Sequence, residues 1–402
     1  MTSSDRLVRY REGAATFFAP SLEAATRGKS FAPSKLPVFF NPAMKLSRDF
    51  AVLAVVTHGR HVGRRLKVCE PMAGCGVRGI RIAREVAEVE KVVLADLNPR
   101  AYELISRNVR LNSLEKTIEV KLADANALLA AIPRDGGRCD YVDLDPAGSP
   151  AAFTENALRS TASGGLLAVT ATDTAVLCGA RAEACVKSYG AQPARTPYCR
   201  EVGLRILLGF AAVTAARLDL AVNPMFCYAW GNYIRLIMQV TAGAKKATRC
   251  LSDMGWLVHC NRCLERQLVR GRFLSLDQRC PRCGALATVG GPLWVGGLWD
   301  QEFCGDMLKA SGSLSLESRR EVEGLLEGVA AETRTDRPYF VLPELGRLLG
   351  VQVPKLSFVL GGLEGRGYVA QRSIFDRQAF RTDAPVDVVR AIFLHAAEGQ
   401  KE

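Results

Sequence analysis

The sequence predicts an α/β protein in which a doubly wound, Rossmann-like parallel sheet is followed by a smaller α+β part. Three observations support this prediction. Strand-like and helix-like segments alternate between residues 66 and 170, and a glycine-rich turn follows the first strand. The composition changes after residue 242, where a basic joint leads to two Cys-x-x-Cys knuckles. We therefore expect one domain over residues 1–245 and a second over residues 246–402.

The composition is that of a basic globular protein. The 402 residues are 48% hydrophobic and 23% charged, and 53 Lys and Arg against 41 Asp and Glu give a net charge of +12. This excess favours a polyanionic partner such as nucleic acid. No run of 18 apolar residues occurs, and residues 1–13 lack the apolar core of a signal peptide. Thirteen cysteines then indicate a reducing compartment, so we expect a cytoplasmic protein without a membrane partner.

The segment before the first sheet strand contains one recognisable helix. Residues 1–35 are basic and rich in turn formers, without clear periodicity. Residues 38–49 lead into a predicted helix that extends through Val56, with Ser47 or Asn41 as its cap. The paired Phe39 and Phe40 suit either the core or stacking against a base.

Five strands and their connecting helices make up the predicted sheet. The strands cover residues 66–70, 92–96, 118–121, 139–143 and 165–170, and the helices cover residues 80–88, 100–111, 125–131 and 152–160. Right-handed βαβ connections between them give parallel strands. A helix over residues 200–220 is then followed by strands 225–230 and 233–240, whose junction at Gly231 and Asn232 predicts a hairpin.

Acids and glycines at the strand ends indicate a cofactor site. The glycines with Gly-x-Gly-x-x-Gly spacing, which permits close approach of the backbone to a ligand, are Gly74, Gly76 and Gly79. Asp96 ends the second strand, where a carboxylate can bind ribose hydroxyls. Glu70 is compatible with sulfonium and ammonium groups but would oppose a pyrophosphate. Acids of this kind, in a parallel sheet that closes with a hairpin, are typical of class I S-adenosylmethionine-dependent methyltransferases; a dinucleotide enzyme is the alternative.

Asp145 and Pro146 follow the fourth predicted strand, at the edge where open α/β sheets bind ligands. The carboxylate of Asp145 and the carbonyl of Pro146, which has no N–H, form a pocket that only accepts hydrogen bonds. Such a pocket suits the exocyclic amine of a nucleobase. The expected reaction is methyl transfer to this amine, with Asp145 stabilising the positive charge on nitrogen and taking the proton.

Two cysteine pairs separated by 16 residues predict a zinc ribbon over residues 256–290. The four residues are Cys260, Cys263, Cys280 and Cys283. Each pair supplies two thiolates to a tetrahedral Zn²⁺, and a complete set of four leaves no open position for catalysis. Redox-active thiols are the alternative. Nearby arginines that could contact phosphates are Arg262, Arg266, Arg270, Arg272, Arg279 and Arg282.

The last hundred residues resemble a winged helix-turn-helix, which we place over residues 303–400. The predicted helices cover residues 317–332, 342–349 and 355–364, and a strand covers residues 368–373. Modules of this kind pack against other domains or bind nucleic acid.

Four motifs together resemble the tRNA (guanine-N2-)-dimethyltransferase family. They are Phe-Asn-Pro-Ala-Met-Lys-Leu-Ser-Arg-Asp at 40–49, Asp-Leu-Asp-Pro-Ala-Gly-Ser-Pro at 143–150, Thr-Ala-Thr-Asp-Thr-Ala-Val-Leu-Cys-Gly at 170–179, and the paired knuckles. The resemblance covers nearly the whole chain. It implies transfer of one or two methyl groups from S-adenosylmethionine to N2 of guanine 26 in tRNA.

The resemblance also implies roles for single residues. Arg48 and Arg78 would hold the methionine carboxylate of the cofactor, Asp96 the ribose, and Asp124 with Ala125 the adenine. With the turn residues, the expected cofactor-binding set is Arg48, Glu70, Gly74, Gly76, Arg78, Asp96, Asp124 and Ala125. Family members carry an aromatic residue after Asp-Pro where this chain has Ala147. Either Phe39 or Phe40 would then stack on the base, or the target pocket differs.

Two other functions stay open at this stage. One is an exocyclic-amine methyltransferase acting on another RNA or on DNA adenine, although Gly148 stands where DNA adenine enzymes carry an aromatic residue. The other is a non-catalytic RNA-binding protein with a relic fold, which the retained acids at 70, 96, 124 and 145 argue against. The expected partner is tRNA and not DNA, and a monomer is favoured.

Overall fold

The computed structural model describes residues 6–27, 30–133, 137–271, 279–332 and 337–398. The chain forms two compact units, each assembled from three stretches. The first comprises Met1–Ala171, Ile237–Gly243 and Glu302–Leu326, and the second comprises Thr172–Leu236, Ala244–Gln301 and Glu327–Glu402. Among the described helices, none has both the length and the apolar character that a membrane span requires.

Strands and helices alternate through most of the chain. The strands are β1 (Leu7–Glu12), β2 (Ala15–Pro20), β3 (Thr26–Arg27), β4 (Ser30–Phe31), β5 (Leu66–Glu70), β6 (Val89–Asp96), β7 (Ile118–Leu122), β8 (Cys139–Leu144), β9 (Thr161–Ala171), β10 (Leu220–Trp230), β11 (Tyr233–Ala242), β12 (Met254–His259), β13 (Arg266–Arg270), β14 (Thr288–Trp294), β15 (Phe340–Val341), β16 (Ala370–Arg372) and β17 (Ala379–Thr382). The helices are α1 (Lys45–Val62), α2 (Val77–Glu85), α3 (Pro99–Leu111), α4 (Ala125–Ala131), α5 (Ala151–Ser160), α6 (Thr174–Leu177), α7 (Ala182–Tyr189), α8 (Cys199–Ala216), α9 (Ala244–Cys250), α10 (Gln301–Ser311), α11 (Arg319–Glu332), α12 (Leu342–Leu349), α13 (Leu356–Glu364) and α14 (Val386–Glu398).

The central sheet has seven strands in the order β10-β11-β9-β8-β5-β6-β7, so the predicted mixed α/β fold is confirmed. The five strands from β9 to β7 pair in parallel. Helices cover both faces of a parallel sheet, and all six residues of β8 are buried. The strand order reverses between β5 and β8. This reversal is the topological switch point at which open α/β sheets bind ligands.

The N-terminal hairpin of β1 and β2 was not predicted from the sequence. Its two strands pair antiparallel over Leu7–Pro20. Two asparagines, one in α3 and one at its C-cap, extend the pairing: Asn108 accepts from the Phe18 N–H at 2.8 Å and donates to the Phe18 carbonyl at 2.9 Å. Asn112 makes the same pair of bonds with Thr16, at 3.2 and 2.6 Å. The hairpin is therefore fixed to α3 through backbone groups of β2.

Helix α1 is longer than predicted and is capped differently. It extends to Val62, and Gly63, with φ of +65°, forms its C-cap. Asn41 caps the short 3₁₀ turn Pro42–Met44 that precedes the helix, accepting from the Ala43 N–H at 3.0 Å. Ser47 lies inside α1, so its predicted capping role is wrong.

The second unit contains two small antiparallel sheets in its C-terminal half. The order β13-β12-β14 places the first beside the cysteine knuckles, and β15-β17-β16 forms the second. Helices α12, α13 and α14 pack on the second sheet around a core that includes Leu345, Val359, Phe380 and Phe393. The predicted helices at 342–349 and 355–364 are present as α12 and α13.

Candidate active site

A cleft of the first unit lies at the carboxyl ends of β5 and β8, at the switch point. Its walls come from the segment before α1, from α1 itself, from the glycine-rich turn and from the residue after β8. Residues predicted for the site that line this cleft are Phe39, Phe40, Arg48, Glu70, Gly74, Arg78 and Asp145. The structure therefore brings these seven residues together from segments over a hundred residues apart, whereas Pro146, Gly76 and Asp96 are not among the described lining residues.

Gly74 and Gly76 shape the turn between β5 and α2. Both have positive φ, +55° and +78°, a conformation that L side chains rarely adopt. A Cβ on Gly74 would lie 2.8 Å from the Phe39 carbonyl oxygen, so only glycine lets this turn contact the segment before α1. Gly76 is the N-cap of α2.

Asp96, at the end of β6, is joined to this turn. Its Oδ2 accepts from the Gly74 N–H at 2.9 Å, and its Oδ1 accepts from the Asn98 N–H at 2.9 Å. Asp124 follows β7, the next strand, and caps α4 by accepting from the Ala127 N–H at 2.9 Å. Asp124 and the buried Ala125 do not line the cleft among the described residues; they lie one strand beyond Asp96.

The buried guanidinium of Arg78 connects the acids of the cleft. It donates to Asp143 through Nη1 and to Asp145 through Nη2, and its Nη1 lies 3.7 Å from Glu70 Oε1. Tyr141 donates to Asp143 Oδ2 at 2.6 Å, and both of these side chains are fully buried. Asp145 is therefore fixed by Arg78, which is fixed in turn by Asp143. Asp143 and Tyr141 were not among the predicted site residues, although alternate residues of one strand share a face.

Glu70 is a buried acid in a crowded acidic cluster. Burial raises the pKa of Glu70 to about 8, Asp143 and Asp145 add to the shift, and Arg78 offsets part of it. Its Oε2 accepts from the Gly79 N–H at 3.1 Å. At neutral pH the folded protein therefore carries a proton on Glu70, which an unfolded carboxyl would release.

We expect the Glu70→Gln substitution to change how stability depends on pH. A raised folded-state pKa contributes stability in full below the unfolded pKa, and this contribution is lost as pH rises through about 8. The free energy of unfolding of the wild type should therefore fall, relative to Glu70→Gln, between about pH 5 and pH 8.5. Urea denaturation across this range measures the difference.

Glu12→Gln is the matched control, because the pKa of Glu12 moves the other way. Burial alone would raise it, but Arg48 and Arg81 outweigh burial and lower the pKa of Glu12 below its ordinary value. The free energy that Glu12 contributes to folding should be lost as pH falls through its lowered pKa. A constant difference between the wild type and Glu70→Gln across the range would show that Glu70 does not titrate there.

Arg48 is held by Glu12, a residue that sequence analysis missed. Its Nε and Nη2 donate to the two oxygens of Glu12 at 2.7 and 2.6 Å, and its Nη1 donates to the Asn41 carbonyl at 3.2 Å. Glu12 also accepts from Arg81 at 3.0 Å, and Arg81 donates to Asp49 at 2.7 Å. The hairpin therefore orients a cleft arginine from outside the cleft. Exposed and less exposed residues alternate along β1, and the strand ends at the buried Glu12. This alternation is the pattern in the sequence that could have indicated the strand.

The two phenylalanines have different environments. Phe40 is 3% exposed and packs its ring 5.0 Å from Tyr10 and 5.4 Å from Phe17, so it is a core residue. Phe39 is 47% exposed and lines the cleft, so of the two it is the one whose ring is accessible to a base.

The four knuckle cysteines form a cluster in the second unit. Their sulfur atoms all lie within 4.8 Å of one another, with Sγ–Sγ distances of 3.5 Å for Cys260–Cys283 and 3.6 Å for Cys263–Cys280. The cluster follows β12, and Cys283 is its one partly exposed member. Four sulfurs at these separations can surround a single metal ion.

Among the described residues, the arginines near the knuckles have different environments. Arg266 is buried against the rings of Phe340 and Tyr198, 3.5 and 5.2 Å from their centroids, so its predicted phosphate contact is wrong. Arg282 pairs with Glu265 and Asp387. Arg262 and Arg279 are exposed. Arg270 pairs with Asp253, and Arg272 lies outside the described residues.

Known proteins resemble this chain along most of its length. The family model of N2,N2-dimethylguanosine tRNA methyltransferase matches residues 16–394. The tRNA (guanine(26)-N(2))-dimethyltransferase of Methanopyrus kandleri is 38% identical, with 92% of this chain and 94% of the relative covered. The tRNA (guanine(26)-N(2)/guanine(27)-N(2))-dimethyltransferase of Aquifex aeolicus is 34% identical, with 83% of each chain covered.

A solved structure has the same fold. Trm1 from Pyrococcus horikoshii, in complex with S-adenosyl-L-methionine, superposes with a TM-score of 0.83 at 32% identity, covering 96% of this chain and 99% of that one. The resemblance drawn from the sequence motifs is thereby confirmed, and the chain belongs to the N2,N2-dimethylguanosine tRNA methyltransferase family.

Proposed function

We propose that this protein methylates the exocyclic N2 of guanine 26 in tRNA, adding one or two methyl groups from S-adenosylmethionine. The observation that carries the proposal is the cleft at the switch point, where Asp145 follows β8 beside an acidic cluster. Membership of the family supports the reaction class. The cytoplasm is the proposed location because tRNA is the proposed substrate, and the proposed form is a monomer.

The residues of the cleft fit a cationic methyl donor. Asp143 and Asp145 both pair with the one guanidinium of Arg78, so two carboxylates face one cation even when Glu70 holds its proton. S-adenosylmethionine, when bound, supplies an electrophilic methyl group on a sulfonium. The residues proposed to hold it are Arg48, Glu70, Gly74, Gly76, Arg78, Asp96, Asp124 and Ala125.

Asp145 and Pro146 are the proposed catalytic residues. The carboxylate and the Pro146 carbonyl would accept hydrogen bonds from the two N2 protons, which orients the nitrogen lone pair towards the methyl donor. Negative charge on Asp145 stabilises the positive charge that develops on nitrogen, and its oxygen then takes the released proton. Arg78, already bound to Asp145, orients this carboxylate.

Small residues leave room for a second transfer. Ala147 is exposed, and a Cβ placed on Gly148 would meet no atom within 4 Å. We propose that a methyl group replaces a proton in this open space; Ala147 and Gly148 are not among the described residues that line the cleft. Guanine 26 must leave its stack to reach Asp145, at a cost of a few kcal/mol, and Phe39 is the proposed stacking partner because Phe40 is buried.

We infer that the second part of the chain, residues 246–402, binds the tRNA body. The cysteine cluster suits a structural Zn²⁺ in a ribbon over residues 256–290, because four thiolates complete a tetrahedron. The arrangement of α12, α13 and the sheet β15-β17-β16 supports a winged-helix-like segment within residues 303–400. We propose that these two helices and this sheet recognise the shape of tRNA and contact its phosphates.

Nucleoside mass spectrometry on unmodified tRNA transcripts tests the proposed function. With the protein and S-adenosylmethionine, we expect dimethylguanosine on the wild-type transcript and none on a transcript with adenine at position 26. A third transcript, with adenine at position 27, shows whether the neighbouring guanine is also a target, as the name of the Aquifex aeolicus relative states for that enzyme. Equal methylation of the wild-type and position-26 transcripts would move the target to another guanine.

A further inference from the structure

A groove of the first unit lies between the N-terminal hairpin and α3, next to the cleft. It encloses about 330 Å³. Leu7, Val38 and Leu104 form an apolar floor, and Arg100 and Arg107 line it from α3. Nothing in the reaction described above uses this groove, yet its combination of apolar floor and guanidinium groups is typical of nucleic-acid contacts.

The groove is continuous with the cleft along the chain. Pro37 and Val38 line the groove, and the next two residues, Phe39 and Phe40, line the cleft. Asn98 fixes this segment by donating to the Pro37 carbonyl at 2.8 Å. Since consecutive residues line the two sites, a nucleotide next to one whose base enters the cleft can reach the groove.

The cations of the cleft are already bound to acids. Arg48 pairs with Glu12, and Arg78 pairs with Asp143 and Asp145, and both guanidinium groups are buried. Neither is placed to neutralise the backbone phosphates that must accompany an extruded nucleotide. A cation outside the cleft is therefore needed for them.

Arg107 is placed to supply that cation. Its side chain is exposed, and its guanidinium lies 4.0 Å from the centroid of the Phe18 ring. Among the described residues, no carboxylate lies within ion-pair distance of Arg107, although Glu103 lines the same groove. Stacking holds the guanidinium in place, so less side-chain freedom is lost when it binds a phosphate.

We propose that this groove binds the RNA backbone next to the target guanosine, with Arg107 contacting a phosphate. The apolar floor then packs against the sugar or base of that neighbouring nucleotide. This inference rests on the proposed function, because it takes the nucleotide in the cleft to belong to an RNA strand.

Arg107→Glu and Arg110→Glu in the full-length protein form the test. Both residues are exposed on α3 and both changes alter the net charge equally, but Arg110 does not line the groove. At about 0.1 M salt, we expect Arg107→Glu to weaken binding of a tRNA transcript by about tenfold and to reduce the salt slope of log K by about 1. Arg110→Glu should change binding less than twofold. Calorimetry with S-adenosylhomocysteine should give the same affinity for both variants as for the wild type.

Phe18→Leu separates the stacked guanidinium from charge alone. This variant keeps Arg107 and the backbone bonds of residue 18 to Asn108. We expect tRNA binding about threefold weaker with an unchanged salt slope, because the charge remains while its platform is lost. Equal losses of tRNA affinity in Arg107→Glu and Arg110→Glu, or no loss in either, would contradict the proposal that the groove binds RNA.

The groove and the proposed function fail separately. If the wild type binds tRNA in an Arg107-dependent manner but leaves guanine 26 unmethylated, the proposed target is wrong, and the proposal that the groove binds RNA is supported. If the wild type dimethylates guanine 26 and Arg107→Glu has no effect on tRNA affinity, the RNA-binding role of the groove is wrong, and the proposed function is supported.

Discussion

Replacing Asp145 with asparagine should lower the single-turnover rate of methyl transfer by about 10³-fold or more. Loss of a positioned proton acceptor costs about 10²–10⁴ in rate, and loss of electrostatic stabilisation at the reacting atom adds to it. The asparagine amide would also place N–H donors against the donor-only amine of guanine. The side chain of Asp145 is partly exposed and is hydrogen-bonded to Arg78. The substitution therefore changes this contact and leaves most of the core unchanged.

Rapid-quench assays with excess enzyme and labelled cofactor measure the chemical step, and calorimetry measures cofactor binding. We expect the affinity for S-adenosylhomocysteine to change by less than about tenfold, because Arg78 keeps its bond to Asp143. Asp140→Asn is the control: Asp140 is a buried acid of the same strand that pairs with Arg64, outside the cleft. An Asp145→Asn variant within tenfold of the wild-type rate would contradict the catalytic assignment.

Replacing Cys263 with serine should remove bound zinc and destabilise the second unit. Structural zinc sites contribute apparent binding free energies on the order of 10 kcal/mol, because the unfolded chain holds no preformed site. Loss of even part of this contribution should lower the melting temperature by roughly 10 °C in a unit of this size. Metal analysis should give about one zinc per wild-type chain, and strong chelators should reproduce the effect of the substitution.

Cys250→Ser is the matched control for the zinc prediction. Cys250 is buried in the same unit and its thiol donates to the Val222 carbonyl at 3.4 Å, a bond that a serine hydroxyl can keep. Its zinc content should equal that of the wild type. A wild-type protein that carries no zinc after purification in zinc-containing buffer, and that is indifferent to chelators, would contradict the metal assignment.

The sheet was predictable because its signal is local. Segments such as β8, which is rich in apolar residues and lies between Gly137 and Pro146, specify a buried strand whatever their partners. The carboxyl ends of such strands share one edge of the sheet, so Glu70, Asp96 and Asp145 could be assigned to one site. The ion pairs of Arg78 with the acids of the cleft could not be predicted. They depend on side-chain geometry, because several acids lie near this guanidinium.

The hairpin escaped prediction for the opposite reason. Its strands are short, and exposed arginines on β1 give residues 1–35 the composition of a basic tail. What stabilises β2 is a pair of asparagines about 90 residues away, whose amides complete its backbone hydrogen bonds. Partners at this separation leave no periodic signal. The role of Glu12 was hidden with it, since its partners Arg48 and Arg81 lie on two other elements.

The interleaved construction of the first unit affects its synthesis. Asp49 accepts from the Ser318 N–H at 2.7 Å, and Gly13 donates to Glu317 at 3.0 Å, so the start of the chain is completed by its last quarter. A ribosome adds about 5–20 residues per second, so the roughly 155 residues between Ala171 and Leu326 take on the order of 8–30 s. During that interval Asp49 and Gly13 lack these two partners. The contacts that complete the first unit can therefore form only after most of the chain has been synthesised.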